Sequence, residues 1–80
     1  MTWEYDGYWA VVLGDHRSAA DVIAEFDLAG ATRVALDEWL GHAEAAAWSE
    51  GGEGGDYPPE WDAHHTTALA DLVTASEAAS

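Results

Sequence analysis

Four histidines, His16, His42, His64 and His65, stand among sixteen Asp and Glu residues, and these are the side chains from which metal sites and acid–base pairs are built. At helical spacing Glu38 shares a face with His42, Glu60 with His64, and Asp62 with His65. None of these pairs belongs to an HExxH or similar ligand signature, and the adjacent His64 and His65 point in different directions. They are read as surface or half-buried histidines stabilised by nearby carboxylates, so no metal site is expected. The carboxylates of the glycine-rich stretch do not follow the alternating D-x-[DN]-x-[DN]-G order of a calcium loop. Asp37 and Glu38 form a carboxylate pair, but acid–base work needs a cleft that shifts one of the two. Ser18 and Ser49 lack a nucleophile context, and no glycine loop ends in a lysine that would cradle phosphate. The expectation is a protein that is not an enzyme and uses no cofactor.

The charge balance excludes further classes. Two arginines, Arg17 and Arg33, and no lysine against sixteen acids leave a net charge of −14. Direct binding to nucleic acid or to an anionic membrane surface requires basic residues that this chain does not have. No apolar run reaches the ~18 residues of a membrane span, and Met1-Thr2-Trp3-Glu4 does not open like a signal peptide. A cytoplasmic location follows as the expectation. With no cysteine there is neither a disulfide framework nor a thiolate.

Acidity of this degree often accompanies disorder, yet 49% of the residues are apolar and five are Trp. The 80 residues are therefore read as one small folded domain with a heavily charged skin. Such a skin costs stability through self-repulsion, and a domain this small has only a few kcal/mol to spare. A selected role for the charge is the consequence.

The expected fold class is α+β, a short N-terminal β-hairpin or strand followed by about three helices. Asp6-Gly7 supplies the positive φ angles of a two-residue turn between Thr2-Trp3-Glu4-Tyr5 and the β-prone Tyr8-Trp9-Ala10-Val11-Val12-Leu13. Ser18, with Asp21 three residues on, starts a helix whose inner stripe is Ala19, Val22, Ile23 and Phe26, and Gly30 is its expected left-handed cap. A second helix, from about residue 32 to 48, places Leu36, Trp39, Leu40, Ala43 and Ala47 inward after Thr32 as N-cap, with Asp37, Glu38 and Glu44 outward. Its alternating start, Thr32 to Leu36, also suits a strand; a β-α-β-α-α order and an all-α fold are the alternatives. Residues 49–60, with four Gly and two Pro, read as a flexible acidic loop. The last helix starts near Pro59, has Ala68, Leu69, Leu72 and Val73 as its core face, and is expected to fray from Ala75 to Ser80.

Val22-Ile23-Ala24-Glu25-Phe26-Asp27-Leu28, followed by Glu38-Trp39-Leu40, looks like a degraded helix-turn-helix. Asp27 replaces the usual turn glycine, and the reading helix would turn Asp37 and Glu38 toward phosphates, so DNA reading is not expected. The Asp-Ser-Leu attachment motif of acyl carrier proteins is absent.

Duplex DNA carries one charge per ~1.7 Å, so the net charge of −14 equals that of roughly 24 Å of duplex. In size and composition, by no motif, the chain resembles the small acidic proteins with which phages and mobile elements block host defence, the anti-CRISPR and anti-restriction DNA mimics. That resemblance implies a non-catalytic inhibitor seated in the basic DNA channel of a host nucleic-acid-binding complex. Its phosphate-like surface would be Asp21, Glu25, Asp27, Asp37, Glu38, Glu44, Glu50, Glu53, Asp56, Glu60 and Asp62. Trp48, Tyr57 and Trp61 are the expected exposed aromatic anchors. The alternatives are a module that neutralises a basic protein partner, such as an antitoxin or regulator, and a homodimer paired through an exposed hairpin edge.

Overall fold

A computed structural model describes residues 6–13, 18–50 and 59–80. These form four helices, α1 (Asp6–Leu13), α2 (Ala19–Phe26), α3 (Arg33–Glu50) and α4 (Pro59–Ala79). Among the described residues there is no strand, which overturns the α+β reading in favour of its all-α alternative.

The correction falls on Tyr8 to Leu13. A strand would set Trp9, Val11 and Leu13 on one face, yet Tyr8, Trp9 and Val12 are buried, Leu13 packs against the core, and Val11 is 53% exposed. That pattern of 8, 9, 12 and 13 inward is helical. A short helix closes its own backbone hydrogen bonds, whereas a lone hairpin finds no third strand among the described residues to complete it; its other half, Thr2 to Tyr5, lies outside them. The propensity of Trp, Tyr and Val for strands is a weak preference that packing reverses.

α2 begins as its sequence predicts. The Ser18 hydroxyl accepts from the Asp21 N–H at 3.2 Å, and the Asp21 carboxylate accepts from the Ser18 N–H at 3.4 Å. Its end differs from expectation: Asp27 is the left-handed cap at φ 56°. Asp tolerates this conformation better than most residues because its short side chain bonds locally. Gly30 is also left-handed, at φ 76°, but it lies in the connection and gives its N–H to the Ser76 carbonyl on α4. α3 starts at the predicted cap, where the Thr32 hydroxyl accepts from the Ala35 N–H at 3.1 Å. The strand alternative for Thr32 to Leu36 is thereby excluded.

α3 and α4 form the central pair, with α1 packed on α3 and α2 on α4. Leu36 and Leu40 of α3 meet Leu72, Ala68 and Leu69 of α4 in a core completed by Val22 and Ile23 of α2 and Trp9 of α1. Removing one such leucine side chain costs about 2–5 kcal/mol, a large share of what an 80-residue domain has. α4 runs to Ala79 instead of fraying from Ala75, because Ser76 is buried and donates to the Leu28 carbonyl at 2.8 Å. One hydroxyl thus ties the α2–α3 connection to the end of α4.

Candidate functional site

The most connected polar cluster lies where α1, α3 and α4 meet. Asp37 and Glu44 stand seven residues apart on α3, so both point from nearly the same face, about 10 Å apart along the axis. His65 of α4 fits between them: its Nδ1 lies 2.6 Å from Glu44 Oε1 and its Nε2 lies 2.6 Å from Asp37 Oδ1. The second Glu44 oxygen, Oε2, accepts from the Tyr8 hydroxyl of α1. A neutral imidazole has one N–H, so only the imidazolium donates to both carboxylates. Burial pulls the His65 pKa down, but the hydrogen bonds to Asp37 and Glu44 and the attraction of both charges outweigh it and raise the value above its ordinary one.

Solvent reaches the three members unequally. The Glu44 side chain is 7% exposed, that of His65 25%, and that of Asp37 54%. Glu44 is a buried carboxylate, tolerable because an imidazolium and a phenol hydroxyl replace the water it lost. This corrects the outward placement of Glu44. Leu36, Leu40 and Glu44 follow one another at four-residue spacing, and that stripe is the sequence signal that points Glu44 inward.

Tyr8 is also the hub of an aromatic cluster. Its ring stands edge-on to Trp61 at 5.3 Å and to Trp9 at 5.6 Å, and lies 5.5 Å from the His64 ring. Trp48 meets Trp61 edge-on at 5.3 Å. The two expected surface anchors therefore face inward: Trp61 is buried, and Trp48 packs against the core from a half-buried position. Trp61 packs edge-on to Tyr8 and Trp48 edge-on to Trp61, and the apolar area they bury is more than a small domain could forgo. Among the described residues, the large apolar side chains left exposed are Val11, Phe26 and Val34. Phe26, expected inside, lies 42% exposed with its ring 5.1 Å from that of the half-buried Trp39.

The remaining predicted residues divide by element. Asp21, Glu25 and Asp27 on and just after α2, Asp37 and Glu38 on α3, and Glu60 and Asp62 at the start of α4 are all exposed. Glu50 is the last residue of α3, its side chain outside the described residues, and Glu53, Asp56 and Tyr57 lie outside them altogether. Among the described residues Arg33 is the one Arg or Lys, and no group of three or more His, Asp or Glu is placed to hold a metal ion. The concavities along the α2–α4 seam, about 360 and 400 Å³, are walled mainly by alanines. The Ser18 hydroxyl at their rim is already engaged in the α2 cap.

Fold and site together define a small domain, all-α among the described residues, with a carboxylate–imidazole–carboxylate cluster built on the buried Glu44 and an acidic exterior, in which no helix of the described residues is long and apolar enough to cross a membrane. In comparisons with known proteins, no family model, no curated protein and no solved structure matches the chain.

Proposed function

We propose that the chain is a non-catalytic inhibitor whose acidic exterior occupies the nucleic-acid-binding site of a basic protein or complex, as the anti-CRISPR and anti-restriction DNA mimics do. The observation that supports this reading is the spread of exposed carboxylates over α2, α3 and α4, countered among the described residues by one arginine, Arg33, and by the His65 imidazolium that pairs with Asp37 and Glu44. The molecule measures 37 Å along its longest axis. Duplex of that length carries about 22 charges at one per ~1.7 Å, so the net charge of −14 reaches roughly two-thirds of its density. A channel that attracts DNA attracts this surface by the same field, and attraction speeds the encounter.

With Trp48 and Trp61 turned inward, the aromatic anchor passes to Phe26, backed by Trp39 and flanked in sequence by Glu25 and Asp27. An apolar centre with a charged rim is the ordinary anatomy of a protein interface. The partner is thus a basic nucleic-acid-binding protein of the cytoplasm in which the chain is made.

The test is to immobilise the chain, pass over it lysate from a candidate host, and repeat the capture with excess duplex DNA. Capture of a nucleic-acid-binding complex that DNA displaces, lost when Glu25, Asp27 and Glu38 are reversed to Lys with helical content unchanged, is the expected result. Capture that ignores DNA replaces mimicry by the antitoxin or regulator reading. Equal weakening by reversals anywhere on the surface removes the localised interface.

A further inference from the structure

We propose that Tyr8, Glu44, His65 and Asp37 form a proton-operated latch that holds α1 on the α3–α4 pair, closed while His65 is an imidazolium and loosened when it loses a proton. The geometry carries this. α1 is eight residues long, too short to be stable by itself, and it packs on α3. A polar tie from it to the rest of the molecule runs from the Tyr8 hydroxyl to Glu44, whose other oxygen rests on His65.

The groups that face His65 are Asp37 and Glu44 of α3; next to them stand Tyr8 of α1, bonded to Glu44, and His64 of α4, whose ring lies against that of Tyr8. Asp37 and Glu44 are the charges that act on His65, and both favour its protonated form. The Nε2 proton, held by the more exposed Asp37, is the one solvent can take. Once it leaves, Nε2 becomes a lone pair 2.6 Å from a carboxylate oxygen, and the two repel. Glu44 then keeps its N–H and O–H donors but has lost its counter-charge while still buried. A buried carboxylate without a counter-charge is costly, and the cost falls if water reaches it. Tyr8, itself buried, packs on Glu44, so lifting α1 admits that water and relieves the strain. The lifted state uncovers the faces that Trp9 and Tyr8 bury.

The experiment is a pH titration of the full chain by NMR, with the ring nitrogens of the histidines, the Trp9 indole and the α1 amides followed together from about pH 5 to 9, where histidines change charge. The expected result is a His65 ring protonated on both nitrogens below a midpoint that lies above the ordinary 6.5, and Trp9 and α1 signals that move with the same midpoint. His64→Gln should keep this coupling, and Glu44→Gln should abolish it, because a neutral amide needs no counter-charge. A His65 midpoint at or below 6.5, or α1 signals that ignore its titration, overturns the latch. So does coupling that persists in Glu44→Gln. Should that variant not fold, the wild-type titration decides alone. The outcome is independent of whether the chain mimics DNA.

Discussion

Glu44 Oε1 and His65 Nδ1 stand 2.6 Å apart across the α3–α4 seam, with the Glu44 side chain only 7% exposed. A buried carboxylate so close to a ring nitrogen makes the stability of the domain depend on the charge of His65. His65 gains two acidic partners on folding, and its pKa rises. The stability it contributes is therefore fully present below the unfolded value of about 6.5 and is lost as pH rises through the folded value. Urea midpoints of the wild type and His65→Gln, measured at matched pH values, should differ most in mild acid and converge in mild alkali. A difference that stays constant with pH would show that His65 matters only by its shape.

The two carboxylates of the cluster should not weigh alike. Glu44→Ala leaves a part-buried imidazolium and the Tyr8 hydroxyl without their acceptor, and a loss of about 3 kcal/mol is expected, the low end for a broken buried pair because His65 is part exposed. Asp37→Asn acts on a group 54% exposed, where screening limits the cost to about 1 kcal/mol or less. Chemical denaturation of both variants at pH 6 checks the order, and equal losses would mean that burial does not govern the cluster.

Aromatic substitutions should separate core from surface. Trp61→Ala removes a buried ring that touches Tyr8 and Trp48 and should cost about 3–5 kcal/mol, enough to unfold a domain of this size. Phe26→Ala should cost much less, since the ring is 42% exposed, while weakening capture of the proposed partner by about tenfold or more if it is an interface anchor. Thermal melts beside a capture assay read both quantities. Phe26→Ala with undiminished capture would move the anchor elsewhere.

Ser76→Ala tests the tie between the α2–α3 connection and α4. The variant removes the hydroxyl donor 2.8 Å from the Leu28 carbonyl but leaves that carbonyl the Ala31 N–H at 3.1 Å, so a cost of about 0.5–1.5 kcal/mol is expected. Faster amide exchange at Leu28 to Ala31 should accompany it. Unchanged exchange there would show that the connection is held by its own turn.

Much of this architecture was legible residue by residue. The Ser18–Asp21 cap, the Thr32 cap, the start of α4 at Pro59 and the inward leucines of α3 and α4 depend on neighbours within one or two turns, so local chemistry specifies them. The stretch Tyr8 to Leu13 was misread because strand propensity and an Asp-Gly pair outweighed the pattern of 8, 9, 12 and 13, and only the surface it packs against chooses between the two periods.

The sequence by itself determined the charge of −14, the absence of cysteine, the number of long helices after Ser18, and most of their buried faces. Only the tertiary structure decided that α1 is a helix, that Trp61 is core and Phe26 surface, and that Glu44 is the carboxylate taken inside. The reason is physical. The burial of a charge depends on whether partners from other helices replace its water, and Tyr8 and His65 lie 36 and 21 residues from Glu44 along the chain. No local pattern carries a pairing over that distance; the packing of α1 and α4 against α3 creates it.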